Sequence, residues 1–176
     1  MKSNLMTSAA RYVSAIEEQL GDSWMPRIYR QLILTVRTRS YQFPLIARGA
    51  QPEIHHTLLG IELKAGRQRM LCPDLATARY LAVLARTGCK AVAVPYDITM
   101  ISHLADQLES SWHRMLLLVD SVASDRSTAF RARIRRLLIG RVRDEIAAAG
   151  AGTRIPEFKQ STKQGYEPQK GTRSTS

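Results

Sequence analysis

The chain has 176 residues, 44% of them hydrophobic, which suits one domain with a core of its own and leaves no room for a second large one. Its 26 Lys and Arg against 15 Asp and Glu leave a formal net charge of +11. An excess of that size points to an anionic partner: nucleic acid first, then an anionic membrane surface or an acidic protein. The two cysteines, Cys72 and Cys89, lack CxxC spacing, which argues against a zinc site and against a disulfide framework. The first twenty residues carry no apolar core before a cleavage site, and no run reaches the roughly 18 apolar residues of a membrane span. A soluble, cytoplasmic protein with free, partly buried thiols is the expectation.

In chain order, residues 7–20 predict an amphipathic helix with Val13, Ile16 and Leu20 on one side and Gly21 as its stop. Between residues 27 and 48 the reading is extended. Leu32, Leu34 and Val36 alternate with Ile33, Thr35, Arg37 and Arg39, which predicts a strand over 32–39, and a second extended piece follows over 43–48. Next comes a hairpin, with Thr57, Leu59, Ile61 and Leu63 sharing one face, Ala65-Gly66 at the turn, and Arg67, Arg69 and Leu71 running back.

Residues 74–99 carry the most concordant signals. Asp74 caps a helix whose turns are apolar nearly all round, and Gly88 supplies the left-handed residue that ends it. Residues 90–94 then form a short β-branched and alanine run, the pattern of a strand covered on both faces, closed by Pro95. Asp97 caps a long amphipathic helix to about Val119, striped by Ile101, Leu104, Leu108, Trp112 and Met115. A final helix over 126–149 turns Phe130, Ile134, Leu138, Val142 and Ile146 inward and stops at Gly150. The remainder, 150–176, is rich in Gly, Ser, Thr, Lys and Gln, and reads as a disordered basic tail. The fold expected is α+β: one domain over 1–149, with a small, mainly antiparallel sheet of four or five strands packed by the Asp74 and Asp97 helices.

No motif specifies a reaction, so the functional expectation rests on charge. The final helix places Arg126, Arg131, Arg133, Arg135, Arg136, Arg141 and Arg143 before its first acid, Asp144. On a helical projection Arg133, Arg136 and Arg143 lie opposite the apolar stripe, with Ala129 and Gly140 between them, so that a phosphate backbone can approach closely. Arginine suits phosphate because its planar fork donates two parallel hydrogen bonds. Arg37 and Arg39 on one strand, and Arg67 and Arg69 in the hairpin, extend the same surface. The tail adds Arg154, Lys159, Lys163, Lys170 and Arg173, with Phe158 and Tyr166 available to stack on bases. The competing explanation is a solvated face whose arginine stems cover apolar surface.

A second feature is Glu62-x-Lys64, which presents a carboxylate and an ammonium on one face of a strand. It is similar to the E-x-K of the PD-(D/E)xK nuclease superfamily, and the resemblance covers about residues 53–94. It implies Mg²⁺-dependent cleavage with Glu62 and Lys64 in the site, and Glu53 and either Glu17 or Glu18 as the upstream acids. The chain departs from that pattern in three ways: no Asp precedes Glu62 on a partner strand, Pro73-Asp74 follows the motif, and a turn comes directly after Lys64. The bland alternative is an edge-strand ion pair.

His103 with Asp106, and Glu109 with His113, have helical neighbour spacing and read as exposed pairs, and His55-His56 opens a strand. There is no GxSxG turn, GxGxxG or P-loop. The expectation is therefore a non-enzymatic nucleic-acid-binding protein, RNA favoured over a DNA operator, with no cofactor and no metal. An adaptor docking on an acidic protein is the first alternative and the nuclease the second.

Overall fold

The structure, a computed structural model, describes residues 2–43 and 51–153. Five helices and five strands make the α+β fold read from the sequence. Helix α1 (Lys2–Leu20) is followed by a 3-10 turn (Gly21–Ser23), a short helix α2 (Met25–Ile28) and one π-helical turn (Tyr29–Ile33). Strands β1 (Thr38–Gln42), β2 (Pro52–Thr57), β3 (Gly60–Ala65) and β4 (Gln68–Cys72) lead to α3 (Leu75–Arg86). Strand β5 (Ala91–Pro95) then precedes the long helices α4 (Ile98–Val122) and α5 (Thr128–Ala149).

The strands form two small antiparallel sheets rather than one. β1 pairs with β5 in the register Thr38↔Pro95 to Gln42↔Ala91, and β2–β3–β4 form a meander. The Asp74 unit follows the reading closely. Asp74 accepts the Thr77 N–H (2.7 Å) and hydroxyl (3.1 Å), Gly88 follows α3 at φ +77°, and Val92, Ala93 and Val94 of β5 are buried. Removing this cap in Asp74→Ala costs about 1 kcal/mol, so the thermal midpoint should fall by about 2–4 °C. A midpoint unmoved in calorimetry would show that α3 does not depend on it.

Two expectations need correction. The strand over 32–39 is not there: residues up to Ile33 are helical, and extended structure begins only at Thr38. Met25, Ile28, Tyr29 and Ile33 are the buried positions, at helical spacing, while Leu32 is 38% exposed. Pro26 opens the helix and suits a first-turn position because its missing N–H is unneeded there. The face Thr57, Leu59, Ile61 and Leu63 does not exist either, because the chain turns at Leu58-Leu59. The Thr57 hydroxyl accepts the Leu59 N–H (3.2 Å) and donates to the Gly60 carbonyl (3.0 Å), fixing a tight turn whose leucines are 107% and 81% exposed. Of the extended piece over 43–48, residues 44–48 lie outside the described residues, as do residues 154–176 of the expected tail.

β5 lies against α4, α5 and the π-helical turn. Among the described residues it has a strand partner on one side only. At Ala93 on the other side, two tyrosines replace a strand: the Tyr29 hydroxyl accepts the Ala93 N–H (2.7 Å) and the Tyr80 hydroxyl donates to the Ala93 carbonyl (2.6 Å). The Tyr29 hydroxyl also donates to the Gly150 carbonyl (2.7 Å), tying the end of α5 to the sheet. Beyond it, residues 151–153 are laid along the outer edge of β1, where the Ser40 N–H donates to the Thr153 carbonyl (2.9 Å) and Arg39 bridges to Thr153 in parallel. Gly152, at φ +76°, is required there, because a Cβ would stand 2.6 Å from the Thr38 hydroxyl.

Candidate functional site

Helix α5 begins at Ser127, whose hydroxyl accepts the Phe130 N–H (3.2 Å). It turns one continuous stripe inward: Ile134, Leu138, Val142 and Ile146 are each fully buried. With period 3.6, that stripe dictates where every arginine stands, and the structure sorts them into two groups.

The first group is bound within the protein. Arg131 and Arg135 share Asp120 of α4. Arg141 is held by Glu17 of α1 (2.9 Å) and by Glu145 one turn on (3.2 Å), and Glu145 also accepts the Trp24 indole N–H (3.2 Å). Arg126, before the helix, lies over the rings of Tyr12 (5.9 Å) and Phe130 (6.0 Å) and donates to the Tyr12 hydroxyl (3.1 Å). That hydroxyl and the neighbouring Asp125 raise the pKa of Arg126. These arginines fasten α5 to α1 and α4.

The second group faces outward. Arg133 and Arg136 have no acidic partner among the described residues, and Arg143 meets only the adjacent Asp144 (3.0 Å). Arg136 and Arg143 are exposed and Arg133 is half-buried. Between them the helix carries only Ala or Gly at positions 129, 132, 140 and 147, and a shallow depression lined by Arg136, Gly140, Arg143 and Asp144 opens at Gly140. Arg136 and Arg143 line that depression and Arg133 does not.

Two cations missing from that reading stand nearby. A Cβ at Gly88 would be 3.8 Å from Arg143 Cδ, and the Cys89 thiol reaches the Arg143 carbonyl at 3.9 Å. The turn between α3 and β5 is thus seated beside α5, flanked by Arg86 and the exposed Lys90, neither of which pairs with an acid among the described residues. Only the packing of α3 on the core brings them here, and no local pattern signals it. The Cys89 thiol itself is pushed up by burial, against the lowering pull of the Thr87 hydroxyl and of Arg143.

The other basic residues named from the sequence are elsewhere. Arg37 lies over the Tyr96 ring at 5.0 Å, at the far end of β5 from Lys90. Arg39 is half-buried in β1, and Arg67 and Arg69 belong to the β3–β4 hairpin, where Arg69 pairs with Glu62 (3.7 Å).

Glu53, Glu62 and Lys64 do share one face of the meander, the side turned away from the buried Leu63 and Ala65. There Lys64 and Arg69 make cross-strand ion pairs, with Glu53 at 3.9 Å and with Glu62, while the His55 ring lies 3.1 Å from Glu53 along β2 itself. Glu17 is drawn to Arg141 instead. The described residues contain no cluster of three or more His, Cys, Asp or Glu side chains placed to hold a metal ion.

The histidine pairs read on α4 dissolve for a similar reason. Arg79 of α3 takes both carboxylates, Asp106 at 2.7 Å and Glu109 at 2.6 Å, and these hydrogen bonds raise its pKa. His103 is left beside Gln107 (3.0 Å). Arg79 went unnoticed in the sequence because its partners lie a whole strand and helix away. No helix among the described residues is long and apolar enough to cross a membrane.

The chain matches no family model, no curated protein and no solved structure. The arrangement of charge is what bears on function.

Proposed function

We propose that the protein binds nucleic acid without catalysing a reaction on it, through the outward face of α5, with RNA the favoured partner. The observation that carries this is the sorting of the arginines. Acids on α1, α4 and α5 engage Arg131, Arg135 and Arg141, whereas Arg133, Arg136 and Arg143 point outward with one adjacent acid among them. Guanidinium groups held on a helix and, among the described residues, not engaged by acids of neighbouring elements are poised to take phosphate oxygens in bidentate fashion. Small residues beside them let the backbone come close. Such contacts supply affinity and carry little sequence information. RNA is favoured because no helix-turn-helix, homeodomain or zinc-finger spacing of a DNA-operator reader is present in the sequence.

The test is a titration of labelled RNA by the full chain across a range of salt. Each phosphate neutralised on a duplex contributes about 0.9 to the slope of log affinity against log salt, and about 0.7 on a single strand. Replacing Arg133, Arg136 and Arg143 together with Ala should therefore flatten the slope by about 2 to 3. Between about 50 and 200 mM salt the wild type should lose on the order of 20- to 40-fold more affinity than the variant. Equal slopes would remove α5 from the site. Binding to a lysate protein that survives nuclease treatment, with no binding to purified RNA, would replace nucleic acid by an acidic protein as partner.

A further inference from the structure

We infer that the nucleic acid held by this face is double-stranded, gripped from two adjoining rows of cations, one on α5 and one on the turn between α3 and β5. This rests on the nucleic-acid reading above and specifies its substrate class.

Three observations lead there. The α5 row is borne by a helix anchored by its buried stripe and by ion pairs to α1 and α4. Arg133 to Arg143 is ten residues, a rise of about 15 Å. A duplex presents one phosphate per roughly 1.7 Å of its axis, counting both strands, so a straight row of that length faces several charges in fixed register, whereas a flexible strand would have to be ordered to match it. The second row, Arg86 and Lys90, is held beside the Arg143 end by the close approach of Gly88 and Cys89 to that residue, and offers contacts to a second line of phosphates.

The third observation concerns stacking. Proteins that take single strands pair a basic groove with aromatic side chains on which successive bases lie. Among the described residues, no aromatic is free beside these cations. Trp24, Tyr29, Phe43, Tyr80 and Trp112 are buried, and half-buried Tyr41 packs edge to face on Phe43 at 5.3 Å. Phe130 and Tyr12 pack edge to face on one another at 5.6 Å, beneath Arg126. Tyr96, still exposed, lies against Arg37 at the opposite end of β5. A double helix asks for no such platform, because its bases are already stacked.

The experiment titrates the full chain against labelled RNA of one sequence and length, as a single strand and as a duplex, with a DNA duplex as third probe, at matched salt. Duplex RNA should bind about tenfold or more tightly than the single strand. Arg86→Ala combined with Lys90→Ala should lower the duplex salt slope by about 2 while changing single-strand affinity less than twofold. A single strand bound as tightly as the duplex, or a duplex slope unchanged by the double substitution, overturns the inference and leaves nucleic-acid binding standing. Failure to bind any of the three probes overturns both. A DNA duplex bound as well as RNA supports the inference and revises only the favoured partner.

Discussion

Tyr29→Phe should lower the stability of the protein by about 2–4 kcal/mol although it removes a single oxygen. That oxygen accepts the Ala93 N–H and donates to the Gly150 carbonyl, both at 2.7 Å, from a residue with no solvent exposure. The phenylalanine ring fills the same space, so the loss is one of hydrogen bonding. A buried amide hydrogen is left without an acceptor and a carbonyl without its donor, at about 1–3 kcal/mol each before relaxation. For a domain of this size the thermal midpoint should drop by roughly 5–15 °C. A drop under about 2 °C would mean that water or a backbone shift replaces the hydroxyl at no cost.

The same hydroxyl predicts how stability depends on pH. Burial pushes the Tyr29 phenol up to about 12, opposed in part by the Ala93 N–H, and Tyr80 is likewise raised well above its usual range by burial. In the unfolded chain tyrosine ionises near pH 10. The folded state therefore keeps a proton that the unfolded state releases, so the contribution of Tyr29 is fully present below about pH 10 and is lost as pH rises toward 12. A gap of two pH units is worth about 3 kcal/mol. Chemical denaturation at stepped alkaline pH should show a decline that is smaller in Tyr29→Phe than in the wild type, with Tyr80, Tyr41 and the thiols of Cys72 and Cys89, all raised by burial, supplying the remainder. Identical alkaline profiles would assign the whole effect to these other groups.

Leu138→Ala should cost about 2–5 kcal/mol. Leu138 is fully buried between Ile134 and Val142 on the stripe that seats α5, and truncation there removes transfer free energy and leaves a cavity. Its use lies in the contrast with the arginines. Where both proteins remain folded, Leu138→Ala should bind RNA with the wild-type salt slope, while the triple substitution of Arg133, Arg136 and Arg143 keeps the wild-type midpoint within a few degrees and loses slope. If Leu138→Ala also flattened the slope at a temperature where circular dichroism shows it folded, the effect of the triple substitution could not be ascribed to phosphate contacts.

Much of the fold was legible because its strongest signals are local. A cap three residues before an N–H that needs one, a glycine at a helix end, and an apolar stripe of period 3.6 each fix an element without reference to the rest of the chain, and α3, β5, α4 and α5 were read that way. Residues 32–36 misled because Ile33 faces the core while Leu32 and Val36 do not, a pattern that alternation imitates over a few positions. The Leu58-Leu59 turn misled because its two central residues are leucines, with the Thr57 hydroxyl and Gly60, at φ +127°, closing it from either side.

The candidate site was legible to the extent that it is a helix projection. Arg133, Arg136 and Arg143 follow from the stripe they oppose. The sequence could not tell that Arg141 would meet Glu17, that Arg131 and Arg135 would share Asp120, or that Arg79 would take the acids beside His103 and His113. Each of those pairings joins different helices, so it exists only once they are packed. Arg86 and Lys90 were missed on the same ground.

β1 lies between two neighbours that are both made later, β5 on one side and Thr153 on the other. During synthesis it leaves the ribosome with neither available, and its backbone groups stay solvated until most of the helices have been translated. Its closure is therefore a late, non-local step, of the kind that slows folding because a long loop must be closed first. Any nascent chain halted before Thr153 carries a strand with one side still open.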